Sequence, residues 1–487
     1  MIYSDTKRDA LLVFLLLAFC YAYFYHDPGW NGNDRLGLTF AIVEEGRLTI
    51  DSFHNQEGTF TKDEAFYNGH YYSSKAVGSS LIAVIFYFPL YRLEQLLSIG
   101  ISLGVIKYLL TFFSIGLPSA FGGSLMYVLC KQVTDNRFQS YILTIVVNLG
   151  TMIFPFSVIF FGHQLTGVLL FCAFFLIYQM KVDPNYRRKG VFFLVGFLLG
   201  YAQITEYPVA PIVLVLTVYY IINLFKMGFN NRNLAIILPA LGASIPIVLT
   251  LVYNNTAFGN PMATGYSYPA DPWFQQQQSG GLVGIGWPNL NAIFFMTLHP
   301  AFGLFWQSPV LIMSLIGIWF MLRTSNYRAE ALVAITAFFS LLILYSGFPF
   351  WWGGYTFGPR YLVPMLTFLC LPLAFIPKRW FPSIVILGLV SVIQMFIVVS
   401  SLILVPDDIF YQIEKLAYFG YSSIYSVCLK LLINGEFSHN VGNQFLGLNT
   451  WVSLIPLFMI IFVITLFFFL RRDNTKSFSS QKNIVSI

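Results

Sequence analysis

Apolar residues run through this chain in long unbroken stretches, without the strict alternation of a half-buried strand. Twelve of them, at about 10–27, 107–130, 139–161, 164–181, 190–206, 209–225, 233–253, 302–322, 330–348, 361–377, 380–404 and 451–470, approach the length of a membrane span. A helix needs roughly 20 residues to cross a hydrocarbon core of about 30 Å. Lipid leaves backbone polar groups unsatisfied, so a span is either a helix or a strand of a closed barrel. Continuous apolar runs predict helices. The expected fold is therefore an all-α polytopic membrane protein, a single membrane domain over residues 1–487 with about 12 transmembrane helices.

Composition agrees: of 487 residues, 57% are hydrophobic and 10% charged. The charges also give a direction. The N-terminus, the loops at 131–138, 182–190, 226–232, 323–330 and 378–379, and the C-terminal tail together carry 18 basic and 6 acidic residues, leaving 9 basic and 15 acidic for the opposite side. Lys and Arg collect in cytoplasmic loops, which places both termini in the cytoplasm of a cell bounded by an inner (plasma) membrane. The net charge of +6 is then a topology signal, with no call for a nucleic-acid partner. An apolar run at 79–91 is expected to be an interfacial or re-entrant helix, because a span there would put Lys131 and Arg137 outside and invert every later loop. The run after Lys7 and Arg8 lacks a small-residue cleavage site and reads as a retained signal anchor.

Three outer loops are long, at about 28–106, 254–301 and 405–450. The first is expected to hold interfacial helices, one capped by Asn33 or Asp34 and ended by Gly46; the third, with Tyr411, Ile413, Leu416, Tyr418 and Phe419, another. All six histidines fall at or beyond outer span ends, and the five cysteines show no spacing for a disulfide framework or a zinc site. Transporters usually carry ionisable residues near the bilayer midplane. Here the spans are almost free of them, and the polar chemistry gathers in the first outer loop.

That loop carries a family resemblance. After the first span come Asn33-Asp34-Arg35 through Glu44-Glu45-Gly46, and then Tyr67-Asn68-Gly69-His70-Tyr71-Tyr72-Ser73-Ser74-Lys75-Ala76-Val77-Gly78. The next span opens on Ile115-Gly116-Leu117-Pro118-Ser119-Ala120. In that order these resemble the GT-C superfamily of integral-membrane glycosyltransferases, in particular the bacterial aminoarabinose and protein O-mannosyl transferase-like group, although Ala76-Val77 stands where that group has two prolines. The outer segment Trp351-Trp352-Gly353-Gly354-Tyr355-Thr356-Phe357-Gly358-Pro359-Arg360-Tyr361 is similar to one in further relatives. The resemblance implies an outward-facing site that moves a sugar from a polyprenyl-phosphate carrier to a lipid, glycan or protein acceptor, and it leaves a divalent cation open; no ligand spacing in the chain assigns a metal.

Such a transfer needs a base for the acceptor hydroxyl and cations for the leaving phosphate. Asp34 is the first candidate base, its other reading being a helix cap; Asp51 and Asp63 are substitutes. Lys75 and Arg360 are the candidate phosphate-binding cations, against the plainer readings of a snorkelling lysine and an aromatic interface belt. His70, Tyr71, His163 and Glu206 are candidates for the substrate cavity, or else they pack a turn and finish helix ends. Two other classes compete. A transporter or flippase of lipid-linked sugars predicts charged residues in mid-membrane, and a polysaccharide polymerase or ligase lacks the Lys75 segment.

Overall fold

The computed structural model describes residues 2–226, 232–278, 284–405 and 422–470. The chain order is α1 (Ile2–Tyr23), β1 (Phe24–Tyr25), α2 (Gly29–Phe40), β2 (Glu64–Tyr67), β3 (His70–Ser73), α3 (Gly78–Leu97), α4 (Leu103–Thr134), α5 (Arg137–Gly150), α6 (Gly162–Val182), α7 (Lys189–Thr205), α8 (Tyr207–Lys226), α9 (Arg232–Phe258), α10 (Leu311–Arg323), α11 (Arg328–Ser346), α12 (Phe381–Ser400), β4 (His439–Asn440) and α13 (Ile455–Leu470). Eight helices among the described residues are long and apolar enough to cross a membrane, and four shorter apolar ones lie among them. The protein is a multi-pass, all-α membrane protein, and among the described residues its strands are confined to two short antiparallel pairs, β1 with β4 and β2 with β3.

Helix packing relies on small residues where backbones touch. A Cβ on Gly196 of α7 would lie 1.8 Å from the Pro239 carbonyl oxygen of α9, and one on Gly242 of α9 would lie 2.1 Å from that of Phe193. Without a hydrophobic force between helices in lipid, such close approach is what holds them together.

Several expectations are refined. Gly46 does end the first-loop helix, in a left-handed conformation with φ 65° after a π turn at Ala41–Glu45. The start differs: α2 begins at Gly29, so Asn33 and Asp34 sit inside the helix and cap nothing. The stretch at 139–161 is broken after Gly150, with a short helix at Ile153–Ser157 following. The run at 79–91 belongs to a longer helix, α3, which is long and apolar enough to span, yet little of it is buried and Ile85, Phe88, Leu93 and Leu96 are exposed. The interfacial helix expected around Tyr411–Phe419 lies outside the described residues.

Charged groups concentrate at the two ends of the bundle. At one end Arg137, opening α5, grips Asp9 of α1 through Nε–Oδ2 (2.6 Å) and Nη2–Oδ1 (2.7 Å), and donates to the Phe468 carbonyl of α13 (2.6 Å). Lys181 of α6 pairs with Glu330 of α11 at 2.7 Å. All four belong to the basic side of the charge map. The other end holds the first-loop chemistry.

Candidate active site

Four segments build the polar end: α2, the β2–β3 hairpin with the turn after it, the facing ends of α6 and α7, and the chain at Arg360. The hairpin turns on Asn68 (φ 49°) and Gly69 (φ 84°), with Tyr67 opposite His70. Two positive φ values are what a two-residue turn needs to match strand twist, and Asn-Gly supplies them cheaply. The hairpin thus returns the chain to the bundle at Ser73-Ser74-Lys75, against α2.

Asp34 meets it there. Its side chain is fully buried and accepts from Ser73 Oγ (2.6 Å) and from the Ser74 amide (3.3 Å). Burial lifts its pKa to about 7, a rise that Lys75 partly offsets and Asp63 reinforces. Lys75 Nζ lies 2.5 Å from Asp63 Oδ1 and 5.3 Å from the centre of the Tyr266 ring. For Asp63, burial would raise the pKa, but Lys75 and then Arg360 and Arg35 outweigh it and hold it below the usual carboxylate range. Glu64, next in sequence, is pushed to about 8 by burial and by the charges of Asp34 and Asp63.

Arg35, the neighbour of Asp34 on α2, was not among the sequence candidates. It is buried and donates to Glu206 Oε1 (2.7 Å), Ser79 Oγ (2.9 Å), the Ala76 carbonyl (3.3 Å) and Asn31 Oδ1 (3.3 Å). It ties α2, the start of α3 and the end of α7 into one block. His163 Nδ1 stands 3.4 Å from the same Glu206 oxygen. Removing one partner of a buried pair typically costs about 3–5 kcal/mol, so Glu206 and Arg35 fix the frame on which Asp34 and Lys75 are mounted.

Arg360 adds a further cation. Its guanidinium carbon lies 5.0 Å from the Phe161 ring centre and 5.4 Å from that of Tyr361, and its buried Nε has no hydrogen-bond partner among the described residues. Its charge is felt at Asp63.

Asp34, Asp63, Lys75, Arg360, His163 and Glu206 therefore share one region. Asp51, His70 and Tyr71 do not join them. Asp51 accepts from His70 Nδ1 and from the Tyr71 amide, both at 2.7 Å, at the exposed part of the hairpin. Tyr71 stacks on His54 with ring centres 3.9 Å apart. This group braces the hairpin through Asp51, whose pKa burial would raise but the Tyr71 and His70 bonds lower.

The second outer loop also reaches the site, which the sequence did not announce. The Phe66 amide donates to the Tyr268 carbonyl (2.8 Å) and the Ala270 amide to the Glu64 carbonyl (2.9 Å), extending the hairpin by a strap. Gly265 lets the strap close: a Cβ there would lie 2.5 Å from Ser74 Cα. Residues 264–270 have no apolar periodicity, so the only advance signal was their loop length.

Among the described residues no cluster of three or more His, Cys, Asp or Glu side chains is arranged to hold a metal ion. No family model and no curated protein matches this sequence. The chain is similar in structure to ArnT from Cupriavidus metallidurans, crystallised bound to undecaprenyl phosphate, with 14% identity, 95% of this chain and 75% of that chain covered, and a TM-score of 0.45. A likeness of that size leaves the assignment of roles to the site itself.

Proposed function

We propose that the protein is a glycosyltransferase that takes a sugar from a polyprenyl-phosphate carrier and passes it to a lipid, glycan or protein acceptor at the outer face of the inner (plasma) membrane, with both termini cytoplasmic. The observation that carries this reading is the joining of Lys75, Asp63 and Asp34 with Arg360 at one end of an apolar helical bundle. Two cations near a carboxylate, at the end of an apolar helical bundle, supply what the transfer of a phosphate-linked group requires.

The chemistry follows from the pairing. Without ligand, Lys75 is neutralised by Asp63. An incoming carrier phosphate draws Lys75 away and brings Arg360, whose planar guanidinium suits phosphate oxygens. Asp63 then loses the cation that lowers its pKa and becomes a better base. The acceptor hydroxyl oxygen attacks the anomeric carbon, the bond from that carbon to the phosphate oxygen breaks, the hydroxyl proton passes to Asp63, and the negative polyprenyl phosphate leaves against Lys75 and Arg360. Asp34, sealed behind Ser73, is better placed to hold the Ser73-Ser74-Lys75 turn than to touch the acceptor. The enclosure of Asp34 thus moves the base assignment from Asp34 to Asp63.

The test is purified protein in liposomes with a labelled polyprenyl-phosphate sugar and candidate acceptors. Glycoside formation that requires Lys75 is the expected result. Movement of the labelled lipid across the bilayer with no glycoside formed would replace this reading with a transporter.

A further inference from the structure

The segment Trp351-Trp352-Gly353-Gly354, which leads to Arg360, has two successive glycines with left-handed backbone, φ 79° at Gly353 and 72° at Gly354. Other residues rarely adopt that conformation, and a turn alone would account for it. The neighbour of the pair adds a second reason. A Cβ on Gly353 would lie 3.0 Å from Cγ, 3.5 Å from Cδ and 3.3 Å from Nε of Arg360, and one on Gly354 would lie 3.7 Å from Nη2. The Arg360 side chain therefore runs lengthwise along the backbone of the two glycines. We propose that Gly353 and Gly354 are positioning residues for Arg360, with Gly353 the tighter of the two, and that they set the line on which the guanidinium reaches the carrier phosphate. The inference rests on the glycosyltransferase reading, in which Arg360 holds that phosphate, and adds the residues that aim it.

Three observations support it. The loop is pinned and cannot retreat from a larger residue: the Gly353 amide donates to the Phe350 carbonyl (2.8 Å), the Val405 amide to that of Tyr355 (2.6 Å) and the Phe357 amide to that of Ile403 (3.2 Å). The guanidinium also has ring walls. Phe161 lies 5.0 Å and Tyr361 5.4 Å from its central carbon, and Tyr361 is itself held by Tyr345, stacked at 4.1 Å with the two rings parallel. Last, the buried Nε has no hydrogen-bond partner among the described residues, so packing sets the direction of the guanidinium at that atom. A methyl on Gly353 thus acts on the Arg360 side chain. A shift of a few tenths of an ångström at Cγ grows along the bonds beyond it, and the charged end moves furthest.

The experiment measures Kd for a fluorescent polyprenyl phosphate without sugar, on purified wild type, Gly353→Ala, Arg360→Ala, the double variant Gly353→Ala with Arg360→Ala, and Gly447→Ala. Gly447 is the control for backbone strain alone, since it is also left-handed (φ 64°) but has nothing within 4 Å of a Cβ. Gly353→Ala is expected to weaken binding about five- to tenfold, part of what losing the charged contact removes. In the Arg360→Ala background the same change should cost less than about twofold, because coupled residues are not additive. Gly447→Ala should leave Kd unchanged. Unfolded protein lowers the number of sites and not the affinity of those that remain, so Kd is readable in a destabilised variant. Where Gly353→Ala gives no folded protein, the milder Gly354→Ala runs the same cycle. An equal loss with and without the Arg360 side chain, or a loss matched by Gly447→Ala, would overturn the proposal. Unchanged affinity in Arg360→Ala would overturn it together with the phosphate role of Arg360. The expected cycle, with no glycoside formed from any carrier-linked sugar, would keep the positioning of Arg360 and end the transferase reading. Failure of the wild type to bind polyprenyl phosphate would end both.

Discussion

The two ends of the bundle both bury charge, and they do so differently. At the basic end Arg137 spends two nitrogens on Asp9 and one more bond on a backbone carbonyl, while Lys181 and the Tyr219 hydroxyl converge on one oxygen of Glu330. Arg137 and Lys181 thus each have a carboxylate in contact. At the other end the account is open. Arg360 has two rings beside it and an unpartnered Nε, Glu64 has an unpartnered oxygen, and Asp34 and Glu64 carry pKa values of about 7 and 8. Closed pairs join helices. A set with spare donors and acceptors is suited to a ligand that completes it, because unmet buried polarity otherwise only destabilises. The basic end is not perfect in this respect, since Glu330 Oε2 also lacks a hydrogen-bond partner, but the cation beside that carboxylate, Lys181, is paired with its other oxygen.

The largest test of this contrast is all-or-none. A cysteine at exposed His70 should react with a membrane-impermeant thiol reagent from outside, and one at exposed Asn136 should not. All five native cysteines are free and buried, which keeps the background low. Equal labelling would mean that the two ends do not face opposite compartments.

Next in size is the base. Asp63→Asn should lower transfer by about 10²–10⁴, the range for a positioned general base, with Glu330→Gln leaving turnover per folded molecule within about twofold. A drop of similar size in both variants, measured as product formed per folded protein, would erase the functional distinction between the ends.

Smaller again are the cations, and here the two ends should respond in opposite observables. Arg360→Ala should weaken donor use about ten- to a hundredfold, as expected for a charge-assisted contact of roughly 1.5–3 kcal/mol, with melting in detergent little changed. Arg137→Ala should lower the melting temperature, because it strands Asp9 in a buried site, and should spare kcat/KM of the protein that remains folded. Melting curves and donor titrations on both variants separate the two.

The subtlest test uses pH. Folded Asp34 keeps its proton up to about pH 7, whereas an ordinary aspartate loses it near 3.8. Across that window the folded state binds more proton than the unfolded one, so stability falls as pH rises from about 4 to about 7. Asp34→Asn cannot ionise. Its melting temperature relative to wild type should therefore climb through this window and stay level above it; a flat difference would mean that Asp34 is ionised in the folded protein throughout.

Much of this architecture was legible because its causes are local. An apolar run of span length has few alternatives, Asn68-Gly69 names its own turn, and Gly46 ends a helix by its left-handed backbone. Asp34, Lys75 and Arg360 stood out because ionisable residues are scarce in a chain of this composition. What escaped was long-range. The bond from Arg35 to Glu206 crosses 171 positions and the one from Lys107 to Asp27 crosses 80, with no local pattern to announce either. Asp34 looked like a helix cap because the helix was expected to begin there; α2 starts earlier, after Pro28, and carries Asp34 into the interior. The strap over Glu64 and Lys75 was hidden for a similar reason, since its pairing partner lies in a different loop.

The flanking of Arg360 by Phe161 and Tyr361 also bears on the solution conditions this protein can meet. Salt weakens a charge by crowding it with counterions, and at about 1 M the range of an exposed charge shrinks to about 3 Å. An exposed pair such as Asp51 and His70 is open to that screening. A guanidinium beside two ring faces is attracted to their quadrupoles and gives mobile ions less room to approach, so ionic strength is a blunt lever on it, and Arg360 should keep its reach in brine as in dilute buffer while the Asp51–His70 pair loses its own.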